Sequence, residues 1–439
     1  MSKTLPSLLT HYFNPINPVN TQPQVGNVNL FTQADWESDI KLAQASKIDG
    51  FVLNIAPVDP STIPSVELAF KAAESLNFLL FFSFDYLAQG PWSADKVTSL
   101  LQKHTPSAAY FKPESPGGRP LVSTFEGPGN AGDWPAIKAA TNAFFVPDWA
   151  SKPPAEAVTL GGGVVDGLFS FNAWPNGDAN MTVDGDKAAQ AALAAKKGVY
   201  MMPVSPWFFT NLPGFGGKNW LWRGDELWEM RWQQVMEVAP EFVQILTWND
   251  YGESHYIGPV NEKELGLFDS GKAPVNYAKG TSHDGWRKFL PFYIELYKTG
   301  KVPAQIEEGV MAYYRTAPAL ACPSGGTSGN DADHGQVEVP PEQLMEDSVF
   351  YAALLSSDKG VTVTVSIGGK EQTGAFNGPP AAGAGTPGVY RGSVPFGGNT
   401  GPVVVTVSRD GKAIGTAEGG KDISATCENN VQNWNAVAV

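Results

Sequence analysis

Short apolar segments alternate with amphipathic stretches along the first part of this chain. Eight apolar segments of strand length lie at residues 8–13, 50–56, 78–86, 120–127, 143–149, 167–174, 198–209 and 242–248. Helical periodicity follows most of them, at residues 36–47, 65–76, 94–104, 186–197 and 225–238, whereas the intervals after the fourth and fifth segments are short or irregular. Apolar strands that alternate with helices are typical of a parallel sheet covered by helices. Eight such units predict a (β/α)8 barrel. An open doubly wound sheet is disfavoured, because no glycine-rich phosphate-binding motif follows the first segment.

The pattern changes towards the C-terminus. A helical stretch at residues 286–298 is followed by a glycine- and serine-rich loop or linker at residues 322–330. Short alternating segments then lie at residues 348–355, 361–367, 403–408 and 412–416, and the dipeptide Asp410-Gly411 between the last two is a hairpin signal. We therefore predict a barrel with a trailing helix over residues 1–317 and a small antiparallel β-sandwich over residues 318–439.

Charge and apolar run length exclude two classes of partner. Thirty lysines and arginines stand against 44 aspartates and glutamates, which gives a formal net charge of −14. Such a chain repels nucleic acid and anionic membranes, and its longest apolar runs are far shorter than a membrane span. A neutral substrate meets no such barrier, and we expect a monomer. The N-terminus lacks a basic region followed by a long apolar stretch, so we expect either synthesis without a leader or removal of one.

The chain has two cysteines, Cys322 and Cys427, both in its C-terminal part. We expect them to form one disulfide that clasps this region, with two buried free thiols as the alternative.

Polar and aromatic residues collect where the predicted strands end. They are His11, Asn54, Asp85, Tyr86, Glu126, Asp148, Trp149, Trp174, Trp207 and Trp248. Barrel enzymes carry their chemistry at the carboxyl ends of their strands, so this distribution predicts an active site there.

The most informative segment, residues 248–256, follows the eighth apolar run. Asp250 and Glu253 leave the strand three residues apart, with Gly252 between them to allow a tight turn. Carboxylates crowded among aromatic rings acquire unequal pKa values, so one can donate a proton while the other accepts one, as glycosidic bond hydrolysis requires. The alternative is that one carboxylate caps a following helix and the other is solvated. The spacing leaves retention and inversion open.

The remaining candidates carry two interpretations each. Asp85, Glu126 and Asp148 could bind sugar hydroxyls or the catalytic water, or could instead form salt bridges at the barrel mouth. The tryptophans could stack on sugar rings or pack in the core. His11 and His255 are expected to hydrogen-bond hydroxyls or carboxylates, with ordinary polar packing as the alternative. Substrate contacts are also expected from Asn249 and Tyr256.

No cofactor is expected, and no metal. The histidines show no metal-binding spacing, and no cysteine lies close to any of them in sequence. The sequence also lacks a G-x-S-x-G nucleophile motif. The stretch Gly214 to Lys218 is only faintly similar to a phosphate loop, because it does not join a strand to a helix at the required spacing.

Several segments together resemble the fungal α-1,3-glucanases, the mutanases of glycoside hydrolase family 71. They are residues 51–55, 82–86, 123–127, 145–149, 166–171, 200–207 and 247–256. The resemblance implies a barrel followed by a β-sandwich and endo-hydrolysis of α-1,3-glucan with inversion at the anomeric carbon. Carried onto matching positions, it implies Asp250 and Glu253 as the catalytic pair and Asp85 as a further essential carboxylate. Within this pair we expect Glu253 to be the acid and Asp250 the base.

The same resemblance leaves two other functions open. One is a barrel glycosidase that acts on another glycan, in the manner of an endo-mannosidase. The other is a glucan-binding protein without catalysis, although a pure binder would have no need of an acid and a base. A secreted or cell-wall location is expected, with an intracellular wall-remodelling form as the alternative.

Overall fold

The computed structural model describes residues 19–22, 28–57, 62–114, 117–332 and 335–439. Ten strands lie in its first part: β1 (Val19–Thr21), β2 (Gly50–Ile55), β3 (Leu79–Asp85), β4 (Leu121–Phe125), β5 (Phe144–Phe145), β6 (Gly167–Phe169), β7 (Val199–Val204), β8 (Phe209–Leu212), β9 (Lys218–Leu221) and β10 (Phe242–Ile245). Eight of them form one parallel sheet in the order β5-β4-β3-β2-β1-β10-β7-β6. A parallel bridge from Asp148, which follows β5, to Phe169 on β6 closes this sheet. The predicted barrel is thereby confirmed.

One strand differs from the prediction. The predicted first segment, residues 8–13, lies outside the described residues, as does His11. The place between β2 and β10 is filled by β1, which pairs in parallel with both neighbours.

Ten helices surround or follow the barrel: α1 (Gln33–Ala45), α2 (Thr62–Leu76), α3 (Ala94–His104), α4 (Trp134–Thr141), α5 (Pro154–Ala157), α6 (Leu160–Gly163), α7 (Asp184–Leu193), α8 (Leu227–Val238), α9 (Gly266–Ser270) and α10 (Leu290–Thr299). Helix α1 begins at a capping box in which Thr32 and Asp35 satisfy each other's backbone N–H groups. Helix α10 begins later than the predicted residue 286, because a proline stands in its first turn and a short 3₁₀ helix precedes it. No helix of the described residues is long and apolar enough to span a membrane.

Nine further strands follow: β11 (Gly309–Arg315), β12 (Ser328–Gly329), β13 (Ser348–Leu355), β14 (Val361–Ile367), β15 (Lys370–Gly374), β16 (Gly388–Pro395), β17 (Val403–Arg409), β18 (Lys412–Glu418) and β19 (Ala436–Ala438). Two antiparallel sheets, β16-β13-β11-β19 and β15-β14-β17-β18, enclose a second apolar core. Asp410 and Gly411 both have positive φ, 50° and 79°, as the predicted two-residue hairpin requires. The predicted C-terminal antiparallel sheets are confirmed.

The two parts of the chain are joined closely. Strand β11, on the barrel side of the predicted division at residue 318, belongs to a C-terminal sheet. Strand β12, in the predicted linker, pairs in parallel with β9 at the barrel rim. A disulfide between Cys322 and Cys427 links the segment before β12 to the segment before β19.

Candidate active site

A tight turn at the carboxyl end of β10 carries the two carboxylates. Asp250 precedes a 3₁₀ helix, Tyr251–Glu253, and its Oδ1 caps that helix by accepting from Glu253 N at 3.1 Å. Ser254 then adopts a left-handed φ of 60°, which turns the chain back. His255 returns beside Thr247, whose N donates to His255 O at 2.8 Å. The capping alternative therefore holds for one oxygen of Asp250, while its other oxygen faces the site.

The turn brings three functional side chains together. One oxygen of Asp250, one of Glu253 and a ring nitrogen of His255 lie within 4.8 Å of one another. His255 Nε2 lies 3.0 Å from Glu253 Oε2 and 3.9 Å from Asp250 Oδ2. The Thr247 hydroxyl lies 3.0 Å from His255 Nδ1 and accepts from Asp250 N, so it is free to donate to Nδ1. This network assigns the ring proton to Nε2, which donates to Glu253.

A lysine from another element completes the cluster. Lys218 lies on β9, and its Nζ donates to Glu253 Oε1 at 2.6 Å. The side chains of Asp250 and Glu253 are 15% and 17% exposed, so both can be reached from solvent. A substrate oxygen could therefore approach either carboxylate.

The two carboxylates differ electrostatically. Burial, with a further contribution from the charge of Glu253, raises the pKa of Asp250 to about 6. Burial alone would also raise the pKa of Glu253, but the Lys218 ammonium and the hydrogen bond from His255 outweigh it and lower that pKa well below its usual range. Burial therefore favours the protonated form of Asp250, whereas Lys218 and His255 favour the ionised form of Glu253.

Asp85 lies across the barrel mouth at the end of β3. Its Oδ1 accepts from Leu87 N and Ala88 N at 2.9 and 2.8 Å, and its Oδ2 accepts from Asn54 Nδ2 at 3.2 Å. Burial raises its pKa, opposed by these hydrogen bonds and by the positive charge of Lys218. Asp85, Asn54 and Lys218 therefore lie around the same cleft as the Asp250–Glu253 pair.

Glu126 and Asp148 form a second acidic group inside the mouth. Glu126 accepts from Ser151 N at 2.7 Å and from the Ser151 hydroxyl at 2.5 Å. Asp148 is fully buried, and its Oδ1 accepts from Ala150 N and Phe171 N. Burial and the neighbouring charge of Glu126 raise the pKa of Asp148 well above its usual range. Both oxygens of Glu126 and one oxygen of Asp148 thus accept hydrogen bonds from the protein itself, and their predicted substrate contacts stay predictions.

Of the predicted tryptophans, Trp174 contacts the ring of His255. Its ring centroid is 5.2 Å from that of His255, and it stacks on Trp222 at 5.1 Å. Its Nε1 donates to Trp207 O at 2.8 Å. Trp174 thus forms part of an aromatic wall behind His255.

The other predicted contact residues are buried in the core. Trp207 donates to Trp434 O, Trp248 donates to Asp39 Oδ2, and Tyr256 donates to Thr281 O. Trp149 and Tyr86 are 2% and 4% exposed, and Asn249 is wholly buried. All six side chains are buried in the free protein, and their predicted sugar contacts stay predictions.

Lys218 is the functional residue that sequence reasoning missed. The stretch Gly214 to Lys218 comprises the turn of the hairpin β8–β9 and the first residue of β9. Lys218 contacts Glu253, which lies 35 residues further along the chain. A glycine-rich hairpin after β7 that ends in a lysine was the available signal.

Two carboxylates and a histidine at this spacing are also a donor set that suits a metal ion. Here Lys218 supplies a positive charge to Glu253 directly, and His255 donates to the same carboxylate. We therefore assign the group to acid–base chemistry.

A (β/α)8 barrel with paired carboxylates at the carboxyl end of its eighth strand defines a glycoside hydrolase. The chain belongs to glycosyl hydrolase family 71, whose family model matches residues 18–439. The family resemblance inferred from the sequence is thereby confirmed.

Two relatives illustrate this kinship, and one solved structure shares the fold alone. The chain is 34% identical over 414 residues to a mutanase of Penicillium rubens, covering 92% of this chain and 84% of that protein. It is 33% identical over 439 residues to a glucan endo-1,3-alpha-glucosidase of Schizosaccharomyces pombe, covering 94% and 92%. A GH99 endo-alpha-mannosidase from Bacteroides thetaiotaomicron has a similar fold, with a TM-score of 0.50, 12% identity and coverage of 65% of this chain and 98% of that chain.

Proposed function

We propose that this protein hydrolyses internal α-1,3-glucosidic bonds of α-1,3-glucan. The observation that carries the proposal is the Asp250–Glu253 pair, held by His255 and Lys218 in a solvent-accessible cleft. The relatives of the chain supply the substrate, since they are named as a mutanase and a glucan endo-1,3-alpha-glucosidase. A neutral glucan also suits a protein with a net charge of −14.

The different pKa values of Asp250 and Glu253 suit them to different roles in the reaction. Asp250, whose protonated form is favoured by burial, donates its proton to the glycosidic oxygen as the bond from that oxygen to the anomeric carbon breaks. Glu253, which is ionised, removes a proton from the water whose oxygen bonds to the anomeric carbon. This division reverses the roles expected from the sequence, and it is argued from the contact between Lys218 and Glu253. Asp85 and Asn54 line the cleft opposite and bind sugar hydroxyls or the attacking water.

The assignment of roles has a direct test. An aryl α-1,3-oligoglucoside with a good leaving group needs little help from an acid, so Asp250→Asn should retain a large part of the wild-type rate on it while losing the polymer reaction. Glu253→Gln should lose both reactions. If instead Glu253→Gln retains the reaction on the aryl substrate and Asp250→Asn loses it, Glu253 is the acid.

The stereochemical course is proposed to be inversion, as in the family resemblance. In the free protein the nearest oxygens of the pair lie within 4.8 Å, whereas inverting pairs are typically about 6.5–9.5 Å apart. The spacing in the free protein does not support inversion, so the proposal rests on the family resemblance and requires the two carboxylates to lie further apart when substrate is bound. Proton NMR of the first product formed tests the stereochemical course. Reducing ends in the β configuration indicate inversion, whereas reducing ends in the α configuration would indicate retention.

Substrate identity is tested with polymers. Wild-type protein is incubated with α-1,3-glucan, α-1,4-glucan, β-1,3-glucan and α-mannan, and reducing ends and product lengths are followed. Oligosaccharides of several lengths from α-1,3-glucan alone support the proposal. Release from α-mannan instead would favour an endo-mannosidase-like function, and release of glucose alone would replace endo with exo cleavage.

The proposed location is outside the cell or in the cell wall. The disulfide between Cys322 and Cys427 is consistent with an oxidising compartment. α-1,3-Glucan is an insoluble polymer, so the enzyme must meet it where it is deposited.

A further inference from the structure

Tyr277, in the loop after α9, connects two parts of the active site through one hydroxyl group. Its Oη donates to Gly252 O at 2.6 Å, within the turn that separates Asp250 from Glu253. The same oxygen accepts from Asn211 N, on β8, at 3.1 Å. The side chain is buried, and its ring packs between Phe209 and Phe268 with centroids at 4.8 and 4.7 Å.

These two contacts join the elements that carry the salt bridge of the site. Strand β8 pairs with β9 so that Leu212 stands opposite Lys218. The turn also packs directly on β8, since a Cβ at Gly252 would lie 2.9 Å from Leu212 Cδ1. The Tyr277 hydroxyl therefore fixes the distance between the hairpin that bears Lys218 and the turn that bears Glu253.

The end of the chain holds Tyr277 in turn. Asn435 Nδ2 donates to Tyr277 O at 3.0 Å and to Tyr256 Oη at 3.3 Å. Asn435 Oδ1 lies 3.1 Å from His283 Nε2, and the chain then enters β19 of the C-terminal sheet. Because all these groups are buried, loss of one leaves others without a partner.

We propose that Tyr277 is a positioning residue of the hydrolytic reaction, and that the C-terminal segment braces it through Asn435. The C-terminal sheets then belong to the active-site scaffold as well as to the fold. This inference rests on the proposed function, because it concerns the alignment of the same acid pair.

A merely structural tyrosine would affect stability without affecting the titration of the acid pair. If the hairpin and the turn move apart, the ammonium of Lys218 moves away from Glu253, and the pKa of Glu253 rises. Three titratable side chains face Glu253: Lys218 on β9, and Asp250 and His255 in the same loop as Glu253. Asp85 at the end of β3 faces Lys218 as well. The acidic limb of the kcat/KM profile should therefore move to higher pH.

The test variant is Tyr277→Phe, which keeps the buried ring and removes only the hydroxyl. We expect kcat on α-1,3-glucan to fall about tenfold or more, KM to change little and the acidic limb to move to higher pH. Tyr297→Phe is the matched control, since its hydroxyl also donates to a buried backbone oxygen, Pro240 O at 2.7 Å, between α10 and the start of β10. The control should lose similar stability and keep the wild-type pH profile.

A double-mutant cycle separates the mechanism from general damage. If Tyr277 acts by aligning Lys218, the pH shifts caused by Tyr277→Phe and Lys218→Met are not additive. Asn435→Ala should give a smaller shift in the same direction. An unchanged pH profile of kcat/KM in Tyr277→Phe, or additive pH shifts in the double variant, would overturn the inference about Tyr277. The proposed function would still hold in that case, provided that the wild-type protein cleaves α-1,3-glucan. Wild-type protein without activity on any tested glycan would overturn both.

Discussion

Replacement of Lys218 by methionine tests the electrostatic account of the acid pair. Methionine keeps a long apolar side chain of similar reach and removes the ammonium that lies 2.6 Å from Glu253. Lys218→Arg retains the positive charge and serves as the matched control. The account predicts that the charge, rather than the packing of the stem, determines the titration of Glu253.

The size of the effect follows from distance and exposure. At 2.6 Å two unit charges interact by about 6 kcal/mol in an effective dielectric of about 20, and by about 1.6 kcal/mol in bulk water. The side chain of Lys218 is 42% exposed, so solvent screens it, and we take the lower figure. About 1.4 kcal/mol corresponds to one pKa unit. Loss of the ammonium should therefore raise the pKa of Glu253 by about one unit.

The sign of the pH effect follows from the role of Glu253 as base. Because Lys218 lowers the pKa of Glu253, its removal protonates the base at a higher pH. The acidic limb of kcat/KM on soluble α-1,3-oligoglucosides should move up by about one pH unit in Lys218→Met, and it should move little in Lys218→Arg. A Lys218→Met profile that superimposes on the wild type would refute the reasoning, as would an arginine variant that behaves like the methionine variant.

Three further predictions concern pH and stability. Because the pKa of Asp250 is raised to about 6, wild-type kcat/KM should fall as pH rises through that value, and a flat profile from pH 5 to about 8 would contradict Asp250 as the acid. Glu229 is buried between barrel and sandwich, and burial raises its pKa from 4.5 to about 7. Ionisation of Glu229 therefore lowers the free energy of unfolding, and this loss is absent below pH 4.5 and complete above pH 7. Glu229→Gln should thus gain up to about 3 kcal/mol in free energy of unfolding relative to wild type between pH 4.5 and 8, measured by urea denaturation, and a pH-independent difference would oppose this. The disulfide from Cys322 to Cys427 closes a separation of 105 residues, and Ser at both positions should cost about 2–4 kcal/mol of stability with kcat retained. An unchanged melting temperature would contradict that expectation.

The barrel was predictable because its strands are buried on both faces. All six residues of β2 are buried, so the segment appears as a continuous apolar run that stands out from the amphipathic helices. The acid pair was predictable for a related reason: Asp250 and Glu253 follow such a run directly, and the turn between them is local. Fold class and the proposed catalytic carboxylates therefore depend on neighbours in sequence.

The surroundings of the pair depend on distant contacts. Lys218 reaches Glu253 from a hairpin inserted between β7 and α8, and nothing local to either residue predicts their 2.6 Å contact. Tyr277 and Asn435 meet because the end of the chain returns to the barrel rim. The proposed division of acid and base roles, which is argued from Lys218, was thus beyond sequence reasoning.

Residues at strand ends also differ in which way their side chains face. Trp174 reaches the wall behind His255, whereas Trp207, at the end of the next strand, turns inward to Trp434. Both follow apolar runs, and position in sequence does not distinguish them. Packing against the C-terminal part of the chain decides their orientation.

The most direct measurement of the central claim compares cleavage and binding of insoluble α-1,3-glucan by three proteins: wild type, Asp250→Asn and Glu253→Gln. Reducing ends report cleavage, and depletion from the supernatant reports binding. The account predicts cleavage by the wild type, a loss of at least about a thousandfold in each variant, and binding by all three. Binding without cleavage by the wild type, or cleavage that survives in either variant at close to the wild-type rate, would contradict it.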